Sequence, residues 1–351
     1  VRNALVDMPV ADLDLATNAR PDVVMTLATD AGLKVIATGI DHGTVTVVAD
    51  HRPFEITTFR NDVETDGRHA VVAFSDTLQE DAVRRDFTMN ALYCAPDGKV
   101  IDPVGGIPDL HARHVRFIND ADLRIREDYL RILRFFRFYA WFGDPDQGID
   151  ADGFAACAAN LDGLEGLAKE RVRTELLKTL LAPNPAPAMA SMAMCGALGR
   201  LLAGADVSAL APLIHLQEQL GRPAHLHTRL AAINPGDVTS QLRLSKADTL
   251  EFTRIRDGAL SVIDAAPLGY DLGADLAIEA LMLRAALSGG TVTKIDMVAA
   301  QFGSAQNYPV TAKDLMPTYA GPALGARLKQ LETAWIASGF TLVKSDLLAL
   351  P

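Results

Sequence analysis

The sequence contains little cysteine, and its cysteines are far apart. Cys94, Cys157 and Cys195 form no CxxC pair and no even-numbered set. This pattern excludes a disulfide framework and a zinc site built on paired cysteines, so we expect a reducing, cytoplasmic compartment. The isolated histidines His225 and His227 do not make a metal site by themselves, and we expect them to be surface or satisfied loop histidines.

Long apolar runs and an excess of positive charge are also lacking. No uninterrupted run approaches the ~20 apolar residues that a membrane span requires, and we expect no secretory signal. The net charge of −11 argues against a protein covered with basic patches. Residues 113–137 reverse that sign locally, with seven arginines against four acids. Such a local basic segment is typical of nucleic-acid binding.

The hydrophobic pattern changes along the chain. Short β-branched runs at residues 34–38, 44–49 and 54–59 predict strands, separated by Gly, Asp and Pro. Helical periods are predicted at 78–85 and 88–93. After Asp120 only helical periods follow, including one continuous helix over 123–142. The predicted fold class is therefore α+β, a small mixed sheet with helices followed by an all-α remainder.

Two aspartates near the start of the chain are spaced for metal binding. Asp12 and Asp14 flank one leucine, and side chains alternate along a strand, so both carboxylates point to the same face. Such a pair can hold two divalent cations. A solvated strand face would have the same pattern. Glu55, on a later predicted strand, can supply a third carboxylate or can be an exposed strand acid.

The string RRDFTMNAL at residues 84–92 suits a nucleoside triphosphate. Arg85 offers a planar, permanently charged fork for phosphate oxygens, and Asp86 and Asn90 can bond sugar hydroxyls. A helix start capped by Asp86 is the structural alternative. A cap does not explain the arginines just before it, because cations are disfavoured at a helix N-terminus.

A row of charged residues follows on the predicted helix over 123–142. Asp128 and Arg131 are three residues apart, and Arg134 and Arg137 continue the row. An acceptor carboxylate beside a donor guanidinium can mimic a Watson–Crick edge, which would let the protein choose the incoming base. An i,i+3 salt-bridge face is the alternative for an isolated pair of this kind.

These motifs, together with DPVGGIPDL at residues 102–110, follow one another in the order that a known family has. The chain resembles the class II CCA tRNA nucleotidyltransferases and bacterial poly(A) polymerases, within the DNA polymerase β-like nucleotidyltransferase superfamily. The resemblance covers residues 1 to about 202. It implies a nucleotidyltransferase head at 1–116, a helical neck with a nucleotide-selecting helix at 117–202, and a helical, tRNA-binding body and tail at 203–351.

The resemblance also implies chemistry. C and A nucleotides from CTP and ATP would be added to the 3′ end of tRNA, with release of pyrophosphate. Asp12 and Asp14 would hold Mg²⁺, with Glu55 as a third catalytic carboxylate. The residues implied to bind the nucleotide are Arg2, Arg85, Asp86, Asn90, Asp128, Arg131, Arg134 and Arg137. No membrane and no protein partner is implied.

Several alternatives stay open. Poly(A) synthesis and A-only addition share these motifs, although residues 39–45 look like the CCA-type strand and residues 61–70 resemble the flexible loop of CCA enzymes. A non-catalytic RNA-binding relative would be expected to lack a metal carboxylate. A small-molecule nucleotidyltransferase fits the long helical C-terminus less well. The family carries Gly-Gly before its Val-Arg, and we expect these glycines to precede Val1 in the natural chain.

Overall fold

The protein, described here from a computed structural model, divides into two compact units. The structure describes residues 1–10, 13–37, 39–66 and 69–351. The first unit is Val1–Ala205 and the second is Asp206–Pro351. The first unit holds both the predicted head and the predicted neck, and the boundary at residue 116 stays a prediction.

A four-stranded mixed sheet organises the beginning of the first unit. Its order is β1-β4-β3-β2, with β1 parallel to β4 and the other pairs antiparallel. Two further pairs, β5 with β6 and β7 with β8, are antiparallel. The strands are β1 Asp14–Thr17, β2 Lys34–Ile36, β3 Thr44–Ala49, β4 Arg52–Thr58, β5 Arg60–Asp66, β6 His69–Phe74, β7 Tyr93–Cys94 and β8 Val100–Ile101.

Ten α-helices belong to the described part of the first unit. The second of them covers the sheet, and its Val24 and Ala28 pack with Val45 and Val47 of β3. The helices are α1 Arg2–Leu5, α2 Pro21–Asp30, α3 Leu78–Val83, α4 Gly106–His111, α5 Ala121–Glu127, α6 Leu130–Phe142, α7 Ala151–Ala159, α8 Lys169–Leu180, α9 Ala186–Met194 and α10 Ala197–Leu201. Short 3₁₀ turns lie at Ile40–His42, Thr88–Asn90 and Leu161–Gly166.

The predicted α+β class is confirmed, but three local predictions were wrong. Residues 61–70, predicted as a loop, belong largely to the β5–β6 hairpin. The predicted helix over 88–93 is a 3₁₀ turn followed by β7. The predicted helix over 123–142 is broken, because Asp128 is extended, with φ −153° and ψ 105°. Its carboxylate accepts from the Leu130 backbone N–H at 3.1 Å and so caps the helix that follows.

In the described residues of the second unit, all the regular secondary structure is helical. Its helices are α11 Leu210–Gln219, α12 Leu226–Ile233, α13 Thr239–Leu242, α14 Lys246–Leu260, α15 Ala265–Leu272, α16 Ala274–Ser288, α17 Lys294–Ser304, α18 Ala312–Leu315, α19 Gly321–Ala337 and α20 Lys344–Ala349. No helix in the described ranges of either unit has the length and apolarity to cross a membrane.

The DPVGGIPDL string supports the segment that carries Asn90. The Asp102 carboxylate accepts from the backbone N–H groups of Gly106 at 2.7 Å and Ile107 at 2.9 Å, which anchors the start of α4. Gly106 then packs directly on the 3₁₀ turn, since a Cβ there would lie 2.1 Å from the Thr88 carbonyl oxygen. The absence of a side chain at Gly106 therefore sets how closely α4 approaches this turn.

We expect Gly106→Ala to lower the free energy of unfolding by about 1–3 kcal/mol, the usual cost of overpacking, because the Thr88 backbone must shift. Urea denaturation measures this. Gly199→Ala is the matched control, since nothing lies within 4 Å of its added Cβ. Because Gly199 lies within α10, its replacement by alanine should leave the free energy of unfolding unchanged or raise it by about 0.5–1 kcal/mol. Equal effects of the two variants would contradict the packing argument.

Candidate active site

The parallel strands β1 and β4 bring two predicted catalytic carboxylates together. Asp14 lies directly opposite Glu55 in the strand register. Residues opposite each other on neighbouring strands point to the same face of a sheet, and both side chains are exposed. Asp12 lies outside the described residues. The described part of the site thus presents two carboxylates to solvent on one face.

A second group of predicted residues forms one hydrogen-bonded chain. The buried Asp86 carboxylate accepts from Asn90 Nδ2 at 2.8 Å and from Arg134 Nε at 2.6 Å, and also from the Phe87 backbone N–H at 2.9 Å. The Asn90 amide oxygen accepts in turn from Arg2 Nη1. Residues from α1, from the turn that follows α3 and from α6 therefore meet at one place.

Three guanidinium groups gather around one aromatic ring beside this chain. The Arg2, Arg134 and Arg137 guanidinium carbons lie 5.0, 5.6 and 5.0 Å from the centroid of the Phe138 ring. The Arg2 guanidinium also lies 4.1 Å from the Phe142 ring centroid. Aromatic faces attract cations, so the rings hold the guanidinium groups in place.

The charge in this cluster is only partly neutralised. The pKa of Arg2 is lowered to about 10, chiefly by burial and also by the neighbouring Arg137 and Arg134, against the opposing effect of Asp86. Arg137 has a partner in the buried Glu175, 3.2 Å away. A bound anion stabilises the charged form of a cation that is disfavoured in this way. The cluster is therefore suited to binding phosphate groups.

Arg85 lies in a separate ion-pair group. Its guanidinium contacts the Asp81 carboxylate at 3.0 Å and lies 4.9 Å from the Tyr93 ring centroid. Asp81 is 2% exposed and also accepts from Arg84 Nε at 2.9 Å and from the Tyr93 hydroxyl at 2.7 Å. Sequence analysis missed Asp81, although its position four residues before Arg85 on a helix is a recognisable signal.

The structure does not pair Asp128 with Arg131. Asp128 lies in the break between α5 and α6 and forms an ion pair with Arg171 of α8 at 2.7 Å. The Arg131 guanidinium instead contacts Glu127 and donates to the Arg124 carbonyl oxygen at 2.7 Å. The i,i+3 argument for a joint selector face was therefore wrong, because the helix breaks at Asp128.

Family models match two parts of the chain. Residues 1–116 match the "Poly A polymerase head domain". Residues 148–207 match the "Probable RNA and SrmB- binding site of polymerase A". The first match contains the carboxylate pair and the RRDFTMNAL string, and the second contains α8.

Known proteins resemble the same region. The chain is 43% identical over 182 residues to human "CCA tRNA nucleotidyltransferase 1, mitochondrial", which covers 52% of the chain and 42% of the relative. It is 39% identical over 198 residues to the "CCA-adding enzyme" of Geobacillus thermodenitrificans, covering 56% of the chain and 47% of the relative. The matched stretch thus spans less than half of each relative's length.

Solved structures extend the fold comparison over nearly the whole chain. The Bacillus stearothermophilus CCA-adding enzyme in complex with CTP has a TM-score of 0.74 at 27% identity, covering 96% of this chain and 87% of that one. The Thermotoga maritima enzyme complexed with tRNA has a TM-score of 0.68 at 18% identity, covering 99% and 87%, and shows the fold alone. Residues 1–116 and 148–207 thus match two models of the poly(A) polymerase family, and the chain shares the fold of the CCA-adding enzymes.

We expect Asp81→Ala to lower the free energy of unfolding by about 3–5 kcal/mol near pH 7, because Arg84, Arg85 and Tyr93 lose a buried partner. Burial alone would raise the pKa of Asp81, but Arg84 and Arg85 outweigh it, and its pKa lies below the usual value. The stabilisation is therefore present above about pH 4 and is lost as the pH falls through the folded-state pKa.

Urea denaturation at pH 7 and at pH 3 measures this pH dependence. The difference between wild type and Asp81→Ala should shrink at the lower pH. Asp30→Ala, an exposed acid at the end of α2, is the control and should change stability by about 0.5 kcal/mol or less at either pH. A difference that stays constant with pH would remove the ionised Asp81 carboxylate as the cause.

Proposed function

We propose that this protein adds C and A nucleotides from CTP and ATP to the 3′ end of tRNA. The observation that carries the proposal is the hydrogen-bonded chain from Arg2 through Asn90 and Asp86 to Arg134, with Arg137 beside it. Segments far apart in sequence supply these residues. The human and Geobacillus relatives, named for CCA addition, support this substrate class over a small molecule.

The guanidinium cluster is proposed to hold the triphosphate. Planar guanidinium forks suit phosphate oxygens, and burial, the main cause of the lowered pKa of Arg2, disfavours a charge that a bound triphosphate would stabilise. Asn90 lies at the solvent side of the buried Asp86, where its amide can bond ribose hydroxyls. These contacts would orient the nucleotide with its α-phosphate towards the RNA end.

The carboxylates of Asp14 and Glu55, together with Asp12, are proposed to bind Mg²⁺ on the face shared by β1 and β4. Carboxylate oxygens are the ligands that Mg²⁺ takes, and the exposure of Asp14 and Glu55 leaves room for substrate phosphates. When bound, the ions would lower the pKa of the RNA 3′-hydroxyl and neutralise charge on the leaving group. The 3′-oxygen attacks the α-phosphorus, the bond to the β-phosphate oxygen breaks, and pyrophosphate leaves.

Asp128 and Arg131 are proposed to select the base, each through its own contacts. Both side chains are partly exposed on the same α5–α6 junction. Asp128 is fixed by Arg171 and Arg131 by Glu127. Such ion pairs can hold an acceptor and a donor in defined positions for the base edge.

The cytoplasm is the proposed compartment. All three cysteines are free, which supports a reducing environment. The human relative is named as mitochondrial, so cell fractionation of the native host is the direct test.

The function is tested with three tRNA transcripts, one lacking the whole CCA end, one lacking the terminal A and one complete. The protein receives Mg²⁺ and labelled CTP or ATP, separately and then together. Addition of C, C and A followed by a stop supports the proposal. Long A tails would indicate a poly(A) polymerase, and A added only after CC an A-adding enzyme. No incorporation would favour a non-catalytic RNA-binding relative.

In the same assay Asp14→Ala should lower the turnover rate by about 10³-fold or more, because metal stabilisation of the transition state is worth several kcal/mol. Asp12→Ala should do the same. Circular dichroism should show that both variants are folded. The control is Asp76→Ala, which removes an exposed acid from a loop of the head and should keep wild-type turnover. Retained turnover in Asp14→Ala would remove this residue from the metal site.

Base selection is tested by the ratio of CTP to ATP incorporation at each position. We expect Arg131→Ala and Asp128→Ala to reduce the discrimination between CTP and ATP by about 10-fold or more. This is the effect expected when one hydrogen bond to a charged group is lost. Arg171→Ala removes the residue that positions the Asp128 carboxylate but keeps the carboxylate itself, so discrimination should fall by less than in Asp128→Ala. If Arg171→Ala and Asp128→Ala behave alike, their ion pair is structural and Asp128 is not the selector.

A further inference from the structure

Two histidines at the start of α12 converge on one carboxylate of α14. His225 Nε2 and His227 Nδ1 each lie 3.1 Å from Glu251 Oε1. The three side chains offer ligand atoms that all lie within 4.8 Å of one another. Sequence analysis took these histidines for surface or loop residues, but His227 is only 8% exposed and lies on α12. The packing of α12 on α14 therefore creates a cluster that the sequence does not show.

The partners of His225 fix where its proton lies. The Thr228 hydroxyl donates to the buried Glu279 carboxylate at 2.8 Å. Its oxygen is then an acceptor for His225 Nδ1, 3.0 Å away. A neutral imidazole has a single N–H, so the Nε2 of His225 carries a lone pair. In this neutral form the lone pair faces an oxygen of the Glu251 carboxylate, a place where a cation would be favourable.

His227 faces the same carboxylate, and its ring is buried. One ring nitrogen faces Glu251, and the other, Nε2, lies 3.3 Å from the Asp248 carboxylate. The Nε2 atom has no hydrogen-bond partner of acceptable geometry. A neutral ring can satisfy only one of the two carboxylates. The ring nitrogen with hydrogen-bond geometry is Nδ1, towards Glu251. If Nδ1 instead binds a cation, the proton would lie on Nε2, on the side of Asp248, and the Nδ1 lone pair would point to the same place as that of His225.

We propose that His225 Nε2, His227 Nδ1 and the Glu251 carboxylate bind a divalent transition-metal ion of the Zn²⁺ type. A cation between these atoms would accept a lone pair from one nitrogen of each ring and from one carboxylate oxygen. Ligands at 2.0–2.1 Å in a tetrahedral site are spaced by about 3.3–3.4 Å, close to the observed 3.1 Å. Two imidazoles and one carboxylate favour zinc over magnesium, so this site differs in kind from the proposed Mg²⁺ site.

The surroundings match the support that zinc-binding histidines usually have. Such histidines donate their second N–H to a carboxylate or another acceptor, which fixes the ring orientation. Asp248, 3.3 Å from His227 Nε2, is near enough to take this position once the ring turns towards it, and Thr228, held by Glu279, lies in it for His225. Three protein ligands leave a fourth position, and the partial exposure of Glu251 and His225 opens it to water. The ion would join the start of α12 to α14.

The test is a Zn²⁺ titration of the full chain, stripped of metal by a chelator and competed against a chromophoric chelator. Excess Mg²⁺ and an Asp14→Ala background keep Zn²⁺ from the proposed active-site carboxylates. We expect one Zn²⁺ per chain. Glu251→Gln and His225→Gln should weaken binding at least 100-fold, and Asp248→Asn about 10–100-fold. His215→Gln, an exposed histidine on α11, is the matched control and should bind like wild type.

A second readout uses stability. Zn²⁺ should raise the thermal unfolding midpoint of the wild type and of His215→Gln but not of Glu251→Gln, because the ion binds only the folded cluster. Circular dichroism without metal checks that Glu251→Gln is folded. Equal Zn²⁺ affinity in wild type and Glu251→Gln, or no stoichiometric binding, would overturn the proposal. Neither outcome depends on nucleotide addition, so the two proposals fail separately.

Discussion

The first unit depends on how one buried carboxylate, that of Asp86, is compensated. An ionised carboxylate out of water is costly unless charged and polar donors surround it. Asp86 receives Arg134 of α6, the Asn90 amide and the Phe87 backbone N–H. Burial alone would raise its pKa, but Arg134, Asn90 and the Phe87 N–H together outweigh burial, and the pKa lies below its usual value. The same contacts that stabilise this charge fix the proposed ribose and phosphate groups relative to each other.

The guanidinium cluster of Arg2, Arg134 and Arg137 is well packed, but its positive charge is only partly neutralised. Arg137 has Glu175 and Arg134 has Asp86, while Arg2 has the neutral Asn90 and two aromatic rings. Burial and the two neighbouring arginines therefore disfavour the charged form of Arg2. A fully neutralised cluster would gain little from a triphosphate. The incomplete compensation is what would make nucleotide binding favourable, and the rings keep the site ordered without adding negative charge.

Sequence patterns predicted those parts of the fold and site that depend on local periodicity. Strand alternation predicted that Asp14 and Glu55 could share a face, and the register of β1 and β4 places them opposite each other. The break at Asp128 was missed because a single residue there caps α6 through its carboxylate, against an otherwise continuous helical pattern. Its partner Arg171 is 43 residues away. Helical periodicity carries no information about such a tertiary partner.

The histidine pair in the second unit also could not be recognised as a cluster from local periodicity. His225 and His227 are two residues apart, whereas on a helix residues three or four apart share a face. They converge because His225 precedes α12 with extended backbone while His227 lies within the helix. Asp248 and Glu251 are three apart on α14 and do share a face, which is a readable pattern on its own. Only the packing of the two helices brings the sets together, so that two ring nitrogens and one carboxylate oxygen lie at one place.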